Sequence, residues 1–196
     1  MLADIESLES QINAIEADAE ALVLGIDETA GSWFATPTSW STAQCLDHLA
    51  VSNRVYLAPM QHAAAKARAQ GRLRRGPAAP GMIARWFVTQ LEPPVKPRTR
   101  FKATANILPA AAPLLADACV GFAASHQEVR AFLVENADLD LAGVRFANPI
   151  VRGIRFSLAS GLNIILAHER RHLWQARQTL QLYRASSTAP QDAMRQ

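Results

Sequence analysis

Apolar side chains recur every three or four residues in four separate stretches of this chain, a period that suits helices and leaves little room for a sheet. In the first stretch, Leu2, Ile5, Leu8, Ile12, Ile15, Ala19 and Leu22 draw one stripe, and Gly25 marks its stop. DETAGSWFATPTSW then reads as a loop rich in Gly, Pro, Ser and Thr. STAQ at 41–44 supplies a capping box, with Ser41 and Gln44 placed to satisfy each other's amide. It opens a second helix that runs to about residue 70 and carries Leu46, Leu49, Val55 and Met60. A third helix is predicted over 110–136, with Pro113 in its first turn and Leu114, Leu115, Ala118, Phe122, Val129, Phe132 and Leu133 on its buried side. NADLDLAGVRFANPIVRG reads as a second loop. The fourth helix is predicted from near Ser157 to about Arg184 through Leu158, Leu162, Ile165, Leu173, Ala176, Leu180 and Tyr183. The expectation is an all-α fold, a four-helix bundle with long irregular connections. One domain is expected over residues 1–185, followed by a polar tail over 186–196.

The least regular part is 71–110, where prolines at 77, 80, 93, 94, 97 and 109 break any long element. MIARWFVTQL, residues 82–91, fits a short helix or a strand. A connection this long between helices often covers a site. Residues 66–102 also hold ten Lys and Arg against one acid, Glu92, so this segment carries +9 and the rest of a +3 chain carries −6. Such a surface attracts anions. It has few aromatics to stack on bases and no known nucleic-acid motif spacing, so nucleic acid is not the expected partner. A solvated loop is the plainer reading.

Apolar residues at 49% and charged residues at 19% suit a folded, soluble chain. No apolar run reaches the roughly 18–20 residues of a membrane span, so no membrane is expected. The acidic, periodic N-terminus does not look like a secretory signal. With Cys45 and Cys119 lying 74 positions apart, the expected setting is reducing and cytoplasmic.

Residues 168–172, HERRH, carry the chemistry. On a helix His168 and His172 face the same way. Two imidazoles entering an apolar interior need partners, and either a metal ion or hydrogen-bonded core neighbours would serve. H-E-x-x-H is also the zinc-protease signature, but that reading needs a third ligand downstream. Only 24 residues follow His172, and Asp192 in the tail is their sole acid. Glu169 lies about 100° round the helix from His168, beside Arg170 and Arg171, on what reads as a charged outer face. A third ligand is therefore expected upstream. His48 sits among Cys45, Leu46 and Leu49 in a core-facing setting, whereas His62 and His126 lie beside polar residues and read as exposed. On position, His48 is the candidate.

WSTAQCLDHL at 40–49, followed about 120 residues later by HERRHLWQ at 168–175, resembles the DinB/YfiT-like metalloenzyme family. The resemblance covers nearly the whole chain. It implies a DinB-like bundle holding a divalent metal through one histidine of the second helix and two of the fourth, here His48, His168 and His172. The basic, proline-rich 71–110 stretch departs from the family in character. Three neutral imidazoles would leave the charge of the metal uncompensated and a position open. Such an ion can acidify water or bind a thiol as thiolate. Imidazoles suit zinc, nickel, copper and iron; zinc and nickel are the first candidates. The resemblance implies thiol-dependent transferases or isomerases, and metal-dependent hydrolases. The expected cofactors are thus a divalent ion and a low-molecular-weight thiol.

Gln175, three positions after His172, and Ser52, four after His48, are candidates for supporting the ligands or lining the pocket. Cys45 reads as a buried thiol, and Asp47 points elsewhere. Trp40 and Trp174 read as packing residues. No nucleophile elbow, phosphate loop or dinucleotide fingerprint is present, so no catalytic side chain is assigned. The alternative to an enzyme is a non-catalytic metal-binding or stress-associated bundle. The expected partner is a small-molecule substrate, with a homodimer left open by the apolar stripe of the first helix.

Overall fold

The computed structural model of the chain describes residues 3–94 and 103–188. Leu2, the cations Lys96, Arg98, Arg100 and Lys102, and the tail beyond residue 188 lie outside the described residues. Four long helices form the bundle: α1 (Ala3–Val23), α3 (Thr42–Ala69), α5 (Leu115–Glu135) and α6 (Leu158–Thr188). Two short helices join them, α2 (Glu28–Ser32) and α4 (Met82–Leu91), with an antiparallel ribbon of β1 (Arg145–Ala147) and β2 (Arg155–Ser157). The all-α reading holds.

The α1 stripe is buried from Ile5 to Leu22, and each of its large aliphatics contributes about 1.5–3 kcal/mol by leaving water. Gly25, at φ 72°, takes the left-handed turn that stops the helix. At the start of α3, Gln44 N–H donates to Ser41 Oγ and Ser41 N–H to Gln44 Oε1, both at 3.1 Å, so the capping box forms. MIARWFVTQL is a helix, α4, laid against α6.

Three expectations shift. α2 lies inside a stretch that reads as a loop, because a single turn carries no stripe; Asp27 caps it by accepting from Ala30 N–H at 2.8 Å. α5 begins at Leu115, leaving Pro113 outside it and Leu114 exposed. Its first amide is satisfied from a distance, Leu115 N–H donating to Glu28 Oε1 and Oε2 at 2.8 and 3.0 Å. The second loop contains the ribbon, whose Phe146 and Phe156 pair directly and are both buried against the bundle. There Gly161 matters: a Cβ at this position would stand 2.7 Å from Met60 Sδ and 2.9 Å from the Phe146 ring. Its absence lets α6, α3 and β1 close together.

Part of the basic segment is tied down within the molecule. Arg68 forks onto Asp138 at 2.8 and 2.9 Å, Arg72 reaches Asp140 at 3.6 Å, and Arg74 pairs with Asp4. Cys45 and Cys119 are free thiols. No helix among the described residues is long and apolar enough to cross a membrane.

Candidate metal centre

The site is built where α3 faces α6. His48 lies two turns into α3, 1% exposed, and its Nδ1 donates to the Ile107 carbonyl at 2.5 Å. The segment just beyond that carbonyl is tied back to α3. Asp47 Oδ2 accepts from Ala110 N–H at 2.7 Å, and Gln44 Nε2 donates to the Ala111 carbonyl at 2.9 Å. With Nδ1 committed as donor, the lone pair of His48 is on Nε2. This nitrogen stands 3.2 Å from His168 Nε2. The ring centroids are 5.0 Å apart for His48 and His168, 4.5 Å for His48 and His172, and 4.6 Å for His168 and His172. One nitrogen from each ring lies within 4.8 Å of the others. Trp40 closes one side, its ring 4.7 Å from His48 and 5.6 Å from His172. Thr179 Oγ1 donates to the Trp40 carbonyl at 3.3 Å and ties that side to α6.

Burial holds all three rings neutral. It pushes His168 down to about 3, and repulsion between protonated His48 and His168 and from the Arg171 guanidinium adds to the effect. His172 is driven well below the usual imidazole value by burial, then by His168, His48 and Arg171. Burial also lowers His48, against the opposing pull of the Ile107 carbonyl and Asp47. The arrangement fits a divalent ion on four counts. Neutral imidazoles offer lone pairs. Two nitrogens bound at ~2.0–2.1 Å to a tetrahedral ion stand roughly 3.3 Å apart, close to the 3.2 Å between His48 and His168. His172 Nδ1 is buried without a hydrogen-bond partner. The bond from His48 Nδ1–H to a carbonyl is the second-layer contact that orients metal-ligating histidines. His48, His168 and His172 thus form a group that can hold a metal ion.

The histidines open on a cavity of about 920 Å³. Ser52 and Gln175 both line it. The Ser52 hydroxyl donates back to the His48 carbonyl at 2.6 Å, which stiffens the turn beneath that histidine. Gln175 lies close enough to the His172 ring to oppose, in small part, the lowering of its pKa. Trp40 and Trp174 line the cavity as well, beyond the packing role expected of them. Cys45 is fully buried, and burial pushes its thiol well above the ordinary range.

The face assigned to Glu169 is overturned. Glu169 is 0% exposed and Arg171 8%, so neither belongs to an outer face; Arg170 turns outward and pairs with Glu92 at 2.5 Å. His126, expected at the surface, is 1% exposed, whereas His62 is exposed as expected. His126 Nδ1 donates to Glu169 Oε1 at 2.9 Å, and its Nε2 donates to the Ile12 carbonyl at 3.0 Å. Asn53 Nδ2 donates to the same Glu169 oxygen at 2.8 Å and to Ser125 Oγ at 3.2 Å. Both ring nitrogens of His126 face acceptors, so the ring is held as the imidazolium. Burial opposes that charge, but Glu169 and the Ile12 carbonyl outweigh it and raise the His126 pKa. This network joins α1, α3, α5 and α6 beside the histidine pair.

No curated protein and no solved structure matches the chain. The sequence profile of the DinB superfamily matches residues 11–176, a span that runs from within α1 to just past the second histidine of HERRH. The chain belongs to the DinB superfamily.

Proposed function

We propose that the protein is a divalent-metal-dependent enzyme that activates a thiol or water against a small-molecule substrate, acting as a transferase or hydrolase. The observation that carries this reading is the convergence of His48, His168 and His172 at the wall of a cavity large enough for a substrate. A divalent ion, zinc or nickel first, would supply Lewis-acid activation at a position the protein leaves open. The chain's residues do the rest. His48 is aimed by Ile107, Ser52 steadies its turn, and Trp40 covers one side of His48 and His172. Gln175 stands where it can orient a group beside His172. A cytoplasmic setting agrees with two free cysteines and with a low-molecular-weight thiol as co-substrate.

The second reading, a non-catalytic metal-binding bundle, would be favoured by a fourth protein ligand or a dry seam. The three-histidine group has neither acid nor cysteine in it among the described residues, and it borders a cavity. Both features support the enzyme. The test is elemental analysis of the wild type beside His48→Ala and His172→Ala. Near-stoichiometric divalent metal is expected in the first and a large loss in both variants; equal content in all three rules out this ligand set. A thiol-conjugation screen run with and without chelator then separates enzyme from bundle, since the enzyme loses its activity to the chelator.

A further inference from the structure

A second cavity, of about 400 Å³, lies at the other end of α3, where its last turns meet the ribbon β1–β2. Lys66 on its wall stands 18 residues beyond His48, about 27 Å along the helix. Four cations line this cavity: Lys66 near the end of α3, Arg72 just after it, Arg145 on β1 and Arg155 on β2. Among the described residues lining it there is no aspartate or glutamate. Lys66 has a local reason for its place, since cations favour a helix C-terminus. The two arginines of the ribbon have none. Arg145 pairs with Ser157 and Arg155 with Ala147, so the arginines lie diagonally on one face, about 7–8 Å apart. The neighbouring Phe146 and Phe156 are buried against the bundle, which anchors the ribbon and sets its arginine face. Arg155 Nη2 donates to the Arg145 carbonyl at 3.2 Å, which holds that guanidinium along the ribbon. Among the described residues no carboxylate pairs with Lys66, Arg145 or Arg155. Asp138 is taken by Arg68. Asp140 stands 3.6 Å from Arg72 Nη2, and its Oδ1 accepts from Gly143 N–H at 2.9 Å. Four cations against that one carboxylate leave +3 at the cavity.

Like charges gathered on one face repel, and an anion between them would remove the repulsion. A charge of +3 exceeds what one carboxylate balances and suits a group with several negative oxygens. Arginine forks take phosphoryl oxygens two at a time, and lysine adds a point charge. The wall between the cations is small, with Ala63 and Ala67 from α3 and Val144 before β1, and it offers no ring on which a base could stack. We propose that this cavity is a second binding site, and that its ligand is a small molecule carrying a diphosphate group. Arg145 and Arg155 hold the phosphoryl oxygens, with Lys66 and Arg72 at their flank. None of these residues touches the three histidines, so the site is independent of the metal-dependent function proposed above.

The test is isothermal titration calorimetry of the full-length chain as purified with inorganic pyrophosphate, beside Arg145→Gln and Arg152→Gln. Arg145 is exposed, so its replacement leaves the core beneath the ribbon in place. Arg152 is an exposed cation between the two strands and off the cavity wall, and it controls for net charge. The wild type is expected to bind pyrophosphate at least about tenfold more tightly than orthophosphate, the scale of one further charge-assisted hydrogen bond. Arg145→Gln should weaken pyrophosphate at least about tenfold, and Arg152→Gln by less than about twofold at physiological salt. Absence of saturable binding by the wild type overturns the proposal. Equal weakening by the two variants also overturns it, since net charge alone would then draw the anion. Pyrophosphate chelates metal as well, so His48→Ala is titrated in parallel. Binding that is lost there and kept in Arg145→Gln would place the anion at the histidines and overturn the second site. A single-stranded oligonucleotide that displaces pyrophosphate and binds more tightly than it does would give this face to nucleic acid and overturn the small-ligand assignment.

Discussion

Replacing His126 by Phe would test whether the buried carboxyl of Glu169 depends on its cation. Phe fills a similar volume, and the Phe122 ring already lies 5.6 Å from the imidazole, so the new ring has an apolar neighbour. What is lost is the charge and two donors. Glu169 Oε1 would keep only Asn53 Nδ2 at 2.8 Å, Oε2 already lacks a partner, and the residue is 0% exposed. Breaking a buried pair on one side costs about 3–5 kcal/mol, because the remaining charge stays out of water. For a chain of this length each kcal/mol moves Tm by about 2–4 °C, so the melting point should fall by about 6–20 °C. Thermal and urea unfolding, followed by far-UV circular dichroism, measure it. The control is the double variant His126→Phe/Glu169→Leu, which removes both partners and should recover to within about 1 kcal/mol of wild type, since replacing a whole buried pair by apolar groups is often neutral. A single variant that loses less than about 1 kcal/mol, or a double whose loss equals the sum of the two singles, would refute the reasoning.

Two further outcomes follow from the same geometry. His168 has its folded pKa pushed down to about 3, against about 6.5 unfolded. The unfolded chain therefore binds the extra proton between these values, and metal-free protein should lose stability as pH falls below about 6.5, by roughly 2 kcal/mol at pH 5 from this residue alone. His126 has the opposite sign: its raised pKa contributes stability that is present below about 6.5 and lost as pH rises through the folded value. Urea midpoints taken across pH would show the acid limb in chelated wild type, and would show the alkaline limb flattened in His126→Phe. An acid limb that persists unchanged when His168 is replaced would contradict the assignment. Separately, Asp47→Ala should release Ala110, loosen the Ile107 carbonyl behind His48, and weaken metal affinity by about tenfold in a chelator competition. Unaltered affinity would show that the carbonyl is positioned by other contacts.

Much of the bundle was legible because its helices announce themselves locally. The α1 stripe, the Ser41–Gln44 box and the Gly25 stop each rest on interactions within a few residues. The ribbon β1–β2 and the start of α5 rest on partners far away in the chain. Glu28 lies 87 positions from the amide it caps, and Phe146 and Phe156 fold onto a bundle that a local reading cannot see. The three histidines were legible because two are four apart on one helix and the third sits among apolar neighbours. The Ile107 carbonyl was not legible, because a backbone oxygen carries no sequence signal.

The misplaced charges teach something more specific. On α6 the buried positions run 158, 162, 165, 169, 173, 176 and 180, so Glu169 occupies a slot in the apolar stripe itself. On α5 the run 115, 118, 122, 126, 129 and 133 gives the same kind of slot to His126, and on α3 the run 46, 49, 53, 57 and 60 gives one to Asn53. A polar residue that keeps the helical period has to be buried, and a buried acid on one helix calls for a donor on its neighbours. Here two neighbouring helices each offer one, Asn53 on α3 and His126 on α5, and both meet Glu169. The types of the flanking residues pointed the wrong way: Arg170 and Arg171 suggested solvent, while the period placed their neighbour in the core. Period outranks composition because it is set by backbone geometry, and a run of charged letters does not rotate a helix. The same rule places Arg171. It stands three positions after His168, and in a helix that spacing returns to nearly the same face, which puts a guanidinium on the side of the bundle where the histidines open on the cavity.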